Sequence, residues 1–349
     1  MFENKTKTSL NNLGEFGLIE KIKESASIKL KETIKGIGDD AAVLAKNSKE
    51  YTVLTTDSLV ENVHFDLSYV PLKHLGYKAV MVNLSDLAAM NAVPEQITVS
   101  IALSSKYTLE AIEEIYAGIN LACSYYNVDL VGGDTTSSQF GMFINICCIG
   151  TVNKKKITYR SGAKHNDLIC VSGDLGGAFL GLQVLEREKK IFLENSDIQP
   201  DLSGFDYLIE RQLKPEARLD IIKALEEQEI IPTSMIDVSD GVASDIRHIC
   251  TSSDVGFQLY ENKLPIDQVT FDKALEMNLD PTVCALNGGE DYELLFTISQ
   301  GDFEKIKKIK EVTVIGHICD TAAGYNLVTK AGTQVDLPAM GWNSFKEKN

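Results

Sequence analysis

The chain has 349 residues, 44% of them hydrophobic, and a formal net charge of −16. That length suits about two domains with sizeable cores. The negative balance argues against nonspecific nucleic-acid binding, which draws on a positive surface.

The opening stretch MFENKTKTSLNNLGE lacks the apolar core of a secretory signal, and no apolar run approaches the ~18 residues of a membrane span. Residues 15–24 have helical spacing. KGIGDDAAVL follows at 35–44, and its Gly36, Gly38 and Ala41 match the G-x-G-x-x-A spacing of a dinucleotide fingerprint. The preceding SIKLKETIK is a poor buried strand, and Asp39 and Asp40 sit where a pyrophosphate would lie, so the match is a decoy. Residues 51–58 read as a strand with a polar end, 72–90 as a long, mostly apolar helix, and 96–103 as a strand. A helix at 109–126, a short strand at 128–134 running into glycines, and a strand at 141–152 complete the first half.

After a basic stretch the pattern restarts. DLICVSG (167–173) reads as a strand and GGAFLGLQVLERE (176–188) as a helix. The glycines of SGDLGGAFLG suit either phosphate binding at a helix start or tight packing. A second helix covers 215–228, followed by SMIDVSDG and VASDIRHICTSS. Strands at 292–299 and 312–318 lie near the end. The mixture is α/β (α+β), and the boundary near 150–160 divides the chain into 1–152 and 153–349. Seven cysteines, an odd number without a C-x-x-C pair, argue against a disulfide framework or zinc site and point to a reducing cytoplasm.

Acids recur where strands end. Asp40 follows the glycine loop, Asp57 ends the strand at 51–58, Asp134 ends VDLVGGD, and Asp237 and Asp240 punctuate MIDVSDG. Any one of these could be a cap or a turn residue. Asp86 is different. It lies mid-helix, with Val82, Asn83, Ala89 and Met90 three and four positions away, so it caps nothing. An unpaired carboxylate on such a face is costly and must be protonated, paired or bound to a cation. Lysines are few: only Lys46, Lys49, Lys73 and Lys78 carry basic charge between 36 and 104. Several carboxylates with few lysines suit Mg²⁺ ions that bridge protein to phosphate. No Walker loop and no H-R-D or D-F-G set is present.

Taken together, GIGDDAAVL, TTDSLVENVHF, YKAVMVNLSDLAAM, VGGDTT, TYRSGAK, IDVSDGVASD and GGEDYELLF resemble, in order, the motifs of the thiamine-monophosphate kinase family. The resemblance runs from about Glu15 to Trp342. NLSDLAAM and GGDTT alone would indicate the wider superfamily of aminoimidazole ribonucleotide synthetase; GEFGLIEKI, VHF and GGEDYELLF favour the kinase. The resemblance implies that fold, with an N-terminal mixed sheet forming a barrel across a homodimer and a C-terminal α/β domain. It implies transfer of the ATP γ-phosphate to thiamine monophosphate, yielding thiamine diphosphate. Asp40, Thr55, Thr56, Asp57, Asp86, Asp134, Asp237 and Asp240 would hold several magnesium ions. Gly133, Asp134, Arg160 and Ser239 would contact ATP, and His64, Glu290 and Trp342 would contact thiamine monophosphate. No general base is expected, because the attacking phosphate oxygen is already ionised, and the transfer should be in line.

Two positions depart from the family pattern. Asn91 stands where Gly is usual, and Asn tolerates left-handed backbone. Ser344 stands where the C-terminal motif has His. Bland readings also compete at single residues: His64 as a satisfied histidine, Arg160 as one more basic-run charge, Trp342 as a core residue. Among superfamily rivals, the selenium enzyme needs an early reactive Cys, and the first here is Cys123. The hydrogenase maturation factor needs a C-terminal Cys, and this chain ends SFKEKN.

Overall fold

The structure is a computed structural model that describes residues 9–338. Helix α1 (Leu10–Ser25) is kinked at Gly14, whose φ is 68°. The first sheet has six strands: β1 (Thr33–Lys35), β2 (Ala42–Ala45), β3 (Glu50–Val60), β4 (Val93–Leu103), β5 (Asp129–Ser137) and β6 (Phe143–Asn153). Their spatial order is β1-β2-β3-β6-β4-β5, and β4–β5 is the parallel pair. The charged stretch before the glycine loop supplies only the short edge strand β1, as its composition suggests.

Helices α2 (Leu72–Ala89) and α3 (Leu109–Tyr126) lie on one face of this sheet. Along β6, Ile144, Ile146, Cys148 and Val152 are buried in alternation, so this face carries the core. The two helices cross closely because glycines face backbone. A Cβ on Gly76 would lie 1.9 Å from the Ile115 carbonyl oxygen, and one on Gly118 would lie 1.9 Å from that of Lys73. Helix α2 ends at Asn91, whose φ of 56° is left-handed and whose Nδ2 donates to the Lys156 carbonyl (2.7 Å). The asparagine thus supplies the turn a glycine would, with an added hydrogen bond.

The second sheet has seven strands: β7 (Leu168–Ser172), β8 (Ser234–Asp237), β9 (Val255–Tyr260), β10 (Leu294–Ile298), β11 (Val312–Asp320), β12 (Tyr325–Val328) and β13 (Gln334–Asp336), in the order β13-β12-β9-β11-β7-β10-β8. Helices α4 (Gly177–Glu194), α5 (Asp206–Leu213), α6 (Leu219–Glu227), α7 (Val242–Ser253), α8 (Gln268–Glu276) and α9 (Pro281–Asn287) surround it. Ile236 and Leu295 pack towards α7 and α9, while Met235, Leu294 and Phe296 pack towards α6 and the end of α2. Covered on both faces, β10 is buried at every residue and reads as a continuous apolar run.

Helix α2 therefore packs between the two sheets. From Leu75 to Met90 every residue is buried except Asp86, which keeps partial exposure. That sandwich explains an almost uniformly apolar helix, and Asp86 marks an opening in it.

Gly76→Ala should destabilise the protein by roughly 3 kcal/mol, the upper end of overpacking costs, because the clash is with backbone. Urea unfolding of Gly76→Ala and Gly118→Ala measures it; a change under about 0.5 kcal/mol in both would contradict the close crossing.

Candidate active site

The opening at Asp86 is lined by acids from three elements. Asp40 comes from the loop before β2, Asp86 from α2 and Asp237 from the end of β8. Each presents a carboxylate oxygen within 4.8 Å of the others. Polar neighbours from β3 and α2 hold them. Ser85 Oγ donates to Asp237 (2.7 Å). Thr55 Oγ1 donates to Asp86 and also lies 3.3 Å from the Asp40 carbonyl. Asp57, on the same face of β3 as Thr55, has a side-chain hydrogen bond with Asp86, and its backbone N–H donates to Asn83 Oδ1 (3.1 Å).

Burial and mutual repulsion act together here. Burial, then the charges of Asp57, Asp237 and Asp40, push the Asp86 carboxyl well above the usual carboxylate range. Burial and the Asp40 charge push Asp237 up to about 7. Burial, then the charge of Glu15 in α1, raises Asp240 to about 6. One cation faces Asp40: Arg160 Nη2 lies 2.8 Å from its Oδ1, and the Arg160 N–H donates to Asp39 (3.0 Å). Asp40 Oδ2 is buried without a hydrogen-bond partner. Oxygen-only donors with one orphaned carboxylate oxygen fit a hard divalent cation.

Beside this cluster lies a second group. His64 Nδ1 accepts the Val60 N–H (3.0 Å), which leaves Nε2 to carry the hydrogen. Burial lowers the His64 pKa, and the charges of Glu290, Lys78 and Asp57 also act on it. Glu290 is held by Lys78 Nζ at 2.8 Å and by Gln212 Nε2 at 2.6 Å. Glu290 and Tyr292 both have left-handed φ, 65° and 51°. Their N–H groups donate to Ser239 and Val238 carbonyls (2.8 and 2.9 Å), which fixes the loop against the end of β8. Tyr292 is buried, and the charges of Glu290, Asp57, Asp237 and Asp86 all act on its phenol. It touches both groups electrostatically, and the sequence reading had not singled it out.

Other predicted residues are placed elsewhere. The Thr56 side chain points to the opposite face of β3, where Asn145 Nδ2 donates to its hydroxyl (2.9 Å). Gly133 and Asp134 lie on exposed β5. Asp57 pairs with Ile146, Ile146 with Val99, and Val99 with Gly133. Three strand spacings, roughly 14 Å, thus separate Asp57 from Gly133 within one chain. Ser239 contributes its backbone carbonyl to the Glu290 clamp. Asp240 sits three residues beyond Asp237, and its N–H donates to Asp245 (3.3 Å). Trp342 and Ser344 lie outside the described residues. At the start of α4, the N–H groups of Gly176 and Ala178 donate to Asp291 (2.7 and 3.2 Å). An internal carboxylate fills that helix end, so of its two readings packing holds and phosphate binding does not.

Lys78, Asn83 and Ser85 were also missed, although the signal that flagged Asp86 applied to them. Each is a polar residue inside an apolar helix. Gln212 carried no such signal, because it follows two charged residues, Glu210 and Arg211, in α5.

Known proteins are similar along nearly the whole chain. The family model "AIR synthase related protein, N-terminal domain" matches residues 38–152. Thiamine-monophosphate kinase of Buchnera aphidicola subsp. Schizaphis graminum is 37% identical over 339 residues, covering 95% of this chain and 98% of that protein. The Bacillus subtilis enzyme of the same name is 33% identical over 316 residues, covering 89% and 93%. The solved structure "AaThiL complexed with AMPPCP and TMP" superposes with a TM-score of 0.81 at 32% identity, covering 98% of this chain and 100% of that one. A hydrogenase maturation protein, HypE in complex with ATP, shares the fold with a TM-score of 0.68 at 18% identity, covering 95% and 98%.

The raised carboxyls make a prediction about the metal-free protein. Between about pH 4 and pH 7 the folded chain binds protons that the unfolded chain has released, so stability falls as pH rises through that window. EDTA-treated protein should melt higher near pH 5 than near pH 8, Asp237→Asn should flatten the difference, and added Mg²⁺ should remove it. A pH profile unchanged by both Asp237→Asn and Mg²⁺ would contradict the acid cluster.

Proposed function

The chain belongs to the thiamine-monophosphate kinase family, and on that premise we propose how its acidic recess serves the family's reaction. The reaction is ATP-dependent phosphorylation of thiamine monophosphate. The observation that carries the reading of the site is the convergence of Asp40, Asp86 and Asp237 within 4.8 Å.

Asp40, Asp86 and Asp237, with Asp57 beside them and Thr55 supporting Asp86, would hold Mg²⁺, and Asp240 would hold a further ion on the phosphate chain. A metal bound there would supply charge neutralisation at the phosphates. Thr56 would take part only through its backbone. The acceptor phosphate carries about −1.5 to −2 charges at neutral pH, so its oxygen is already a nucleophile and needs no base. His64 and Glu290 would orient thiamine monophosphate, with Trp342 from the C-terminal segment. Arg160, paired to Asp40 here, would contact the nucleotide. Residues 1–152 would then form the metal-binding and dimerisation domain, and 153–349 would complete the nucleotide and substrate site.

Gly133 and Asp134 fit this scheme through a second copy of the chain. Exposed β5 and the polar outer face of the first sheet would meet a partner, and Asp134 would complete the partner's metal site. The cytoplasm is the compartment where its substrate and ATP would meet.

Two experiments test the reading. Asp57→Asn should cut turnover by at least ~10²-fold, the loss seen when one strong electrostatic group is removed, and EDTA should abolish activity until Mg²⁺ is restored; unchanged turnover in both would sink the metal assignment. Mixing inactive Asp57→Asn and Asp134→Asn subunits should restore about a quarter of wild-type activity, because half the mixed dimers' sites would be intact. No recovery on mixing would place Asp134 in its own chain's site or outside the machinery.

A further inference from the structure

Helix α2 buries a cation, Lys78, about two turns before Asp86. Lys78 is 5% exposed, as is Gln212. Its Nζ lies 2.8 Å from Glu290 Oε1 and donates to the Gln212 carbonyl at 3.1 Å. Gln212 Nε2 donates to Glu290 Oε2 at 2.6 Å. Both Glu290 oxygens therefore have a fixed donor behind them, while the side chain keeps 27% exposure to the recess. The backbone of Glu290 is left-handed, and its N–H is tied to Ser239. A carboxylate held this closely, in a strained conformation, is built to accept from something in front of it.

We propose that Lys78 and Gln212 are positioning residues that fix Glu290 as the anchor for the amino-bearing, cationic heterocycle of the phosphoryl acceptor. The proposal rests on the reading that Glu290 faces thiamine monophosphate. Its physical basis is twofold. Lys78 Nζ and Gln212 Nε2 each hold one oxygen of Glu290, which fixes the rotamer of its carboxylate. Lys78 also lies eight residues before Asp86 on one continuous helix, about 12 Å along its axis. The same helix thus sets the distance from the heterocycle's anchor to the cluster that would hold the phosphates. Ser85, seven residues on from Lys78, faces the same side and holds Asp237. Substrate anchor and metal ligand are spaced by one rigid element rather than by two independent loops.

A merely structural pair would join α2 to α5 and affect both substrates alike. The test is steady-state ADP release with each substrate varied, together with calorimetric binding of thiamine monophosphate without ATP. Lys78→Met should raise the KM and Kd for thiamine monophosphate roughly 10- to 100-fold, the loss of one charge-assisted contact, and leave the ATP KM within about threefold. Gln212→Leu should raise them roughly 3- to 10-fold, and Lys78→Arg should recover part of the loss. The Lys78→Met/Glu290→Gln double variant should lose little more than Glu290→Gln alone, because the lysine acts through the glutamate. Equal rises for both substrates, or no rise for thiamine monophosphate, would overturn the proposal. If Lys78→Met does not fold, Gln212→Leu decides on the same criterion. Glu290→Gln separates the two layers. A normal KM for thiamine monophosphate in that variant removes Glu290 from the substrate site; a raised KM there with an unchanged one in Lys78→Met and Gln212→Leu removes only the positioning role.

Discussion

Three carboxylates whose oxygens approach within 4.8 Å repel one another by on the order of 3 kcal/mol per ionised pair at an effective dielectric near 20. That cost shapes the rest of the molecule. Each acid comes from a different element, so none can relax away without moving a strand or helix. Ser85, Thr55 and Asn83 place hydrogen bonds around the cluster, and Arg160 faces one member of it. Removing such groups leaves buried donors or acceptors unsatisfied, at about 1–3 kcal/mol each. A scaffold that keeps so much like charge together must be rigid elsewhere, and helix α2, buried between two sheets, supplies the rigidity.

The segment GGEDYELLF shows how one short stretch serves both rigidity and site. Glu290 turns to the recess and meets Lys78 and Gln212. Asp291 turns inward and accepts the first N–H groups of α4. Tyr292 turns back towards the acids. Glu293 turns inward again, where Arg211 lies 2.9 Å away and Arg218 and Ser172 also reach it. The alternation is that of a strand entering β10, but the left-handed φ at Glu290 and Tyr292 bends it around the recess. The buried ion pairs of Asp291 and Glu293 hold a strained loop in place; their energetic worth lies in that constraint more than in net stability.

Much of this was legible in the sequence. The apolar character of 72–90 and the helical spacing of 109–126 predicted α2 and α3 almost to the residue; α2 is buried almost throughout, while α3 buries one face against its neighbours. Asp86 was legible because a mid-helix acid among apolar neighbours has no cheap local explanation. Short elements were not. Strands β9, β12 and β13 and helices α5, α8 and α9 are brief and take their stability from tertiary packing rather than local pattern. Thr55 and Thr56 were equivalent in sequence, yet a strand sends neighbours to opposite faces, and only Thr55 reaches the acids. Asp134 read as one more strand-end acid; its distance from Asp57 depends on strand order, which no local motif encodes.

Lys78 illustrates the deeper limit. In the sequence it is one of four lysines between 36 and 104, and it can be read as a sign that positive charge is scarce. In the fold it is buried, and its partner Glu290 lies more than two hundred residues away. Burying a lysine is costly unless it is paired and hydrogen-bonded, so its place inside α2 is intelligible only once the second sheet has brought Glu290 and Gln212 against it. The same docking brings Asp237 to Ser85 and Asp86. One packing event between the two halves of the chain therefore assembles both the acid cluster and the anchor beside it, and the helix between them fixes their separation.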